Sequence, residues 1–330
     1  MKNPTFLLLY IILSYCTAAS AQQEKIFHSY DSSAKTQSKG GWLWKISGNE
    51  LTHPVYLFGT YHGTYDILYQ YTDSIPELHQ AFNACSQFAG ESETTSKPTP
   101  AQVGVAIKLP KDTTYADLLN KEDFHFLDSI VRQSLKSPLN KVYIKPNFLA
   151  LILGEIEKGK KLVDTGYSQS QIDSMKSQVM DIALEKKAKE KGLTIVGLEG
   201  IFDAFVSEKS NLKKEADELI SDLREDDEIS PLSFVNTLSD VYRTQNMKSL
   251  IDFEVKVDSI FRTSPKLTEI GKRIREDLLK RRNLNWMNKI PELMKAQPTF
   301  IAVGVRHLPG KDGLIALLLE KGYQVEPIGL

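Results

Sequence analysis

The sequence predicts an α/β fold: a mixed, largely parallel central sheet assembled from both chain ends, with a large helical portion packed over it. Two observations predict this. Apolar runs of strand length fall within 41–95, once within 193–200 and again within 298–330. Apolar residues at helical spacing fill the intervals, at about 100–191 and 201–296.

The elements follow in order. "GWLWKISG" (Gly41 to Gly48) alternates Trp42, Trp44 and Ile46, the period of a strand. A turn at Gly48-Asn49 and a second apolar run, Val55 to Phe58, predict a hairpin. Ile75 to Cys85 has helical spacing with Pro76 in the first turn, and "SQFAGE" then reads as a strand ending at Glu91. Strand, helix and strand make a parallel βαβ unit, which would set Glu91 on the strand beside that of His62. "SQIDSMKSQVMDIALEKKAKEKG" predicts one helix whose apolar face is Ile172, Met175, Val179, Ile182 and Ala183, stopped by Gly192. "LTIVGLEG" (Leu193 to Gly200) reads as a buried strand ending in Glu199. The chain closes with strand "TFIAVGV", helix "GKDGLIALLLEKG" and strand "YQVEPIG". Residues 41–330 are taken as a single domain.

Composition excludes some functions. Of 330 residues, 41% are hydrophobic and 25% charged, as in ordinary globular proteins. The formal net charge of −1 offers no field of one sign, so no nucleic-acid partner is expected. Residues 1–21 read as a signal peptide: Lys2, an apolar run from Phe6 to Ser14, and Ala19-Ser20-Ala21 as the cleavage site. An uncleaved anchor helix and lipidation of Cys16 are the alternatives. Residues 22–40 read as a polar, flexible leader. The expected location is exported, periplasmic or extracellular, with membrane association open and no further spanning segment. Signal removal leaves Cys85 alone, so no internal disulfide is expected and Cys85 reads as a buried packing thiol.

The candidate chemistry lies in a repeated arrangement. Two apolar runs end in Gly-x-x-His, at Gly59-Thr60-Tyr61-His62 and at Gly304-Val305-Arg306-His307. Open α/β sheets place ligand sites at the C-terminal edges of their strands, and glycine lets the chain turn there. Glu91 and Glu199 have the same address. Two imidazoles with a carboxylate make a familiar metal shell, for which Zn, Mn, Co and Fe are not distinguishable by ligand type. A lone Gly-x-x-His is weak, and either histidine can equally be a hydrogen-bonded structural residue. HExxH, paired CxxC, Walker A and GxSxG motifs are absent from the sequence.

At these residues the sequence resembles the TraB/GumN family, relatives of the Tiki metalloproteases, from about Gly41 to Ile328. "WLWKISGNE...VYLFGTYHG", "FAGE", "MDIALEKKAKEKGLTIVGLEG", "LLKRRNLNWMNKI" and "FIAVGVRHLPGKDGLIALLLEKGYQVEPI" carry the resemblance by order and spacing. It implies a divalent-metal hydrolase acting on a peptide or protein substrate, with His62, Glu91 and His307 as metal ligands. It also implies catalytic roles for Glu199, Arg282 and Asn283: Glu199 or Glu91 as general base, Arg282 stabilising an oxyanion, Asn283 orienting a substrate amide. The family usually has an acid where this chain has Arg281. A non-catalytic haem-, iron- or peptide-binding protein of the same fold is the alternative, with "YHGTYDILYQY" (Tyr61 to Tyr71) as a pocket wall. Oligomeric state is left open.

Overall fold

The computed structural model describes residues 40–61, 76–93, 98–164, 166–172, 179–203, 211–224, 238–263 and 265–329. The predicted signal peptide and His62 lie outside the described residues, as does nearly all of the 61–71 aromatic segment.

Two compact units form. The first, 97–174 with 202–229, is helical. Its helices include Lys121–Leu135, Pro146–Asp164 and Leu212–Arg224. Asn120 caps the first of these by accepting from the Asp123 N–H at 2.9 Å. Leu127 and Val131 then share one face and bury against Leu139, Leu149, Leu153 and Leu219.

The second unit, 16–96 with 175–201 and 230–330, carries the sheet. Its strands are β1 (Leu43–Ser47), β2 (Val55–Thr60), β3 (Gln87–Gly90), β4 (Thr194–Gly197), β5 (Thr299–Gly304) and β6 (Gln324–Pro327). Their order across the sheet is β4-β3-β5-β2-β1-β6. The four strands from β4 to β2 run parallel, and β1 pairs antiparallel with both β2 and β6. The predicted hairpin forms, with Leu43 opposite Phe58 and Ile46 opposite Val55. Trp42, Trp44 and Ile46 are buried and Lys45 is exposed, as the alternation requires, while Leu43 on the Lys45 face is buried as well. The sheet is therefore mixed, mostly parallel and drawn from both chain ends.

One neighbour relation differs from the expectation. β5 lies between β2 and β3, so Glu91 follows the strand beside that of His307, not the one beside β2. The reason is burial. Phe300, Ile301 and Val303 of β5 are all fully buried, and such a run belongs in the middle of a parallel sheet. Phe300 stacks on Phe88 of β3 and meets the edge of Phe82, fixing the helix Pro76–Asn83 to the same core.

The helices divide between the two units. Met180–Glu190 and Met247–Phe261 belong to the sheet unit, whereas 100–164 and 212–224 form the other. The predicted long helix is interrupted: residues 169–172 are helical, and Val179, at φ −56° and ψ 130°, precedes a second helix that starts at Met180. Its stop is as predicted: Gly192 adopts φ +74°, the left-handed conformation that ends helices. Among the described residues no helix is long and apolar enough to cross a membrane.

Candidate functional site

Three strands deliver side chains to one edge of the sheet. Glu91 directly follows β3, and the β3–β4 ladder continues past the strand ends: Leu198 N–H donates to the Gly90 carbonyl and Glu199 N–H to that of Glu91, both at 2.9 Å. The two glutamates are thus neighbours through backbone pairing. β5 runs into a single 3₁₀ turn, Val305–His307, which turns His307 inward until it is buried.

Arg282 and Asn283 arrive from a helix. A π-helical stretch, Ile274–Lys280, widens the turn immediately before the helix Arg281–Trp286. Beyond it, Arg282, Asn283 and Trp286 are buried while Leu284 and Asn285 face outward. Arg281, the departure from the family pattern, lies 3.9 Å from Asp277 on the outer surface.

The guanidinium of Arg282 is the centre of the cluster. Its Nε donates to both oxygens of Glu199, at 2.9 and 3.2 Å. Nη2 donates to Glu91 and to Glu199, and Nη1 to the Leu278 carbonyl and to Nε2 of His307 at 3.2 Å. These contacts engage all five N–H groups of the side chain. Trp286 completes the arrangement: its indole N–H donates to Glu199 at 3.0 Å, and its ring lies 4.7 Å from the guanidinium and 4.5 Å from the imidazole. Glu91 is anchored on its other oxygen by the Gly304 N–H at 2.7 Å.

Two titrations are displaced. Burial lifts the Glu199 carboxyl above its usual range; Arg282 opposes this, and the charge of Glu91 adds to it. For Arg282, burial works against the charge, but Glu91 and Glu199 outweigh it and hold the guanidinium above its usual range.

The histidine ring is oriented from both sides. Asn283 Nδ2 donates to the carbonyls of His307, at 3.2 Å, and Asp312, at 2.8 Å. Its Oδ1 must then be the atom 2.7 Å from His307 Nδ1. On the other side Nε2 faces Arg282, which can only donate.

The structure therefore brings Glu91, Glu199, Arg282, Asn283 and His307 together, and His62 lies outside the described residues. Sequence reasoning missed Trp286, although its place four residues after Arg282 puts both on one helix face. It also missed what holds the end of β2. Thr60 donates to Asp181 at 2.7 Å, and Tyr242 donates to the Gly59 carbonyl at 2.7 Å. Burial, aided by Asp181, raises the Tyr242 hydroxyl and keeps it a donor.

Gly59 has a different role from the predicted sharp turn. It lies inside β2, and a Cβ there would meet Leu308 Cδ1 and Val305 Cγ2 at 2.8 Å. Its missing side chain lets β2 lie against the turn that carries His307. Gly304, at φ −52° and ψ 133°, needs no glycine conformation, and its N–H holds Glu91.

A model of the TraB/PrgY/gumN family matches residues 42–327, nearly the whole chain and every residue of this cluster. The chain belongs to the TraB/PrgY/gumN family. No curated protein and no solved structure matches it.

The family resemblance implies a divalent ion, and the cluster can be tested for fit. Among the described residues no group of three or more His, Cys, Asp or Glu side chains is arranged as a metal shell. Two of the predicted donors nevertheless suit one. His307 Nε2 is 3.7 Å from Glu91 Oε1, close to the roughly 3.3 Å between ligands on a tetrahedral ion. Among the described residues two carboxylates face one guanidinium. Imidazole and carboxylate are donor types that a divalent ion accepts.

Proposed function

We propose that this TraB/PrgY/gumN-family protein is an exported, divalent-metal-dependent hydrolase of peptide or protein substrates. One observation carries the reading: three strand ends converge so that Glu91, Glu199 and His307 share one largely buried edge.

His307 Nε2, exchanging the Arg282 N–H that it accepts for the ion, and Glu91 would hold the metal, with His62 as the third ligand. When bound, a divalent ion polarises a scissile carbonyl and lowers the pKa of a water towards about 7. Glu199 is the general base of this reading, because a carboxyl lifted by burial takes a proton more readily near neutral pH. Arg282 holds both carboxylates at the edge and adds a fixed positive charge beside them. Its engaged N–H groups make this a better account than donation to an oxyanion. Asn283, 1% exposed, has its amide committed to His307 and Asp312 and does not reach substrate.

The test is metal content by mass spectrometry on the mature chain, purified without chelator, beside His62→Ala and His307→Ala. Stoichiometric metal lost in both variants supports the reading, and chelator-sensitive cleavage in a peptide library extends it. A wild type that takes up no Mn²⁺, Co²⁺ or Zn²⁺ on titration removes the hydrolase reading. Export is tested by N-terminal sequencing of the protein recovered outside the cytoplasm, which should begin at Gln22.

A further inference from the structure

We infer that Asn283 is a positioning residue: it holds His307 in the Nδ1–H tautomer and so turns the lone pair of Nε2 towards the sheet edge. The tautomer follows from the hydrogen bonds alone. Only its consequence for metal rests on the reading above.

Three contacts determine the geometry. The Asn283 amide could be turned over only by placing Oδ1 against the carbonyl oxygens of His307 and Asp312, where no proton is available. Oδ1 therefore accepts from His307 Nδ1 at 2.7 Å, and that nitrogen carries the hydrogen. The opposite nitrogen faces the Arg282 guanidinium at 3.2 Å, a donor with no acceptor atom, so Nε2 must offer its lone pair. Two partners on opposite sides of the ring thus require the same tautomer.

The contacts also fix the ring's orientation. Asn283 grips both the imidazole and the backbone of the residue that bears it, and Trp286 lies against the ring face. Because Asn283 is buried with its amide committed to His307 and the Asp312 carbonyl, it acts on chemistry through the groups it holds and not by touching substrate. A histidine metal ligand commonly donates its second N–H to a carboxylate or carbonyl; here a side-chain amide supplies that acceptor.

The experiment is ¹⁵N NMR of the histidine rings in the full mature chain, with His307 assigned by the signal lost in His307→Ala. Wild type should show the Nδ1–H form. Asn283→Ala should show a mixture or the Nε2–H form, and should bind Mn²⁺ or Co²⁺ about 10–100-fold more weakly. Asn283→Asp keeps an acceptor for Nδ1–H and should keep the wild-type tautomer. Wild-type His307 found as Nε2–H overturns the inference, as does an unchanged ring and affinity in folded Asn283→Ala. Should Asn283→Ala fail to fold, loss of the Nδ1–H form in Asn283→Asp overturns it instead. A tautomer change in Asn283→Ala, with a wild type that binds no metal, keeps the positioning role and discards the metal reading.

Discussion

Replacing Arg282 with Met would take the guanidinium that bridges two buried carboxylates while roughly keeping side-chain volume. Glu91 and Glu199 are each about 10% exposed or less at the side chain, so water replaces little of the lost interaction. Removing one partner of a buried ion pair costs about 3–5 kcal/mol, and a guanidinium shared by two acids belongs at the upper end. The pH dependence carries a definite sign. Without Arg282, which lowers the Glu199 carboxyl, burial and the charge of Glu91 push that carboxyl further up. Its folded pKa then exceeds the ordinary unfolded value of about 4.3. The folded variant binds more protons than its unfolded form, so its stability is greatest below that value and falls as pH rises through the raised one. The deficit relative to wild type should therefore shrink as pH drops from about 7.5 to about 5. Urea denaturation followed by fluorescence reads this, because Trp42, Trp44 and Trp286 are all buried in the sheet unit. Adding Glu199→Gln to the variant should restore part of the loss by removing one unpaired charge. A cost below about 1 kcal/mol, or one equal at both pH values, would refute the picture of a guanidinium bridging two buried carboxylates.

Further outcomes follow from the packing around the site. Gly59→Ala forces a methyl group against Val305 and Leu308 and should cost about 1–3 kcal/mol by the same denaturation assay. It should also weaken divalent-metal binding by displacing the turn that bears His307. Glu254, fully buried, pairs with Arg306 through both carboxylate oxygens, the nearer contact at 2.5 Å. Glu254→Ala should therefore destabilise by about 3–5 kcal/mol, read as a shift in the urea midpoint. Burial pushes the Cys85 thiol up to about 12, against the opposing charge of Lys191. A thiol reagent should label it only after unfolding, and rapid labelling of native protein would contradict its burial.

Much of this arrangement is legible in one dimension because it rests on local pattern. The alternation of Trp42, Trp44 and Ile46 marks a half-buried strand in any context, and Gly192 ends its helix through a property of its own backbone. Glu91, Glu199 and His307 are readable as candidates because each ends or directly follows a strand. A parallel sheet collects strand ends on one edge whatever the order of its strands.

The sequence by itself therefore determined the α/β class, the family and the edge of the sheet where the charged residues would gather. Only the tertiary structure decided what those residues do to one another. Strand order depends on which apolar run is buried most completely, and that put β5 between β2 and β3, making Glu91 the neighbour of His307. Residue spacing groups Arg282, Asn283 and Trp286 on one face of the helix that follows the π-helical stretch, but only its packing decided that this face turns inward. The tautomer of His307 was settled later still. It depends on a donor and an acceptor approaching opposite ring nitrogens, and hydrogen bonds of this kind exist only once the backbone has fixed both partners to within a few tenths of an ångström.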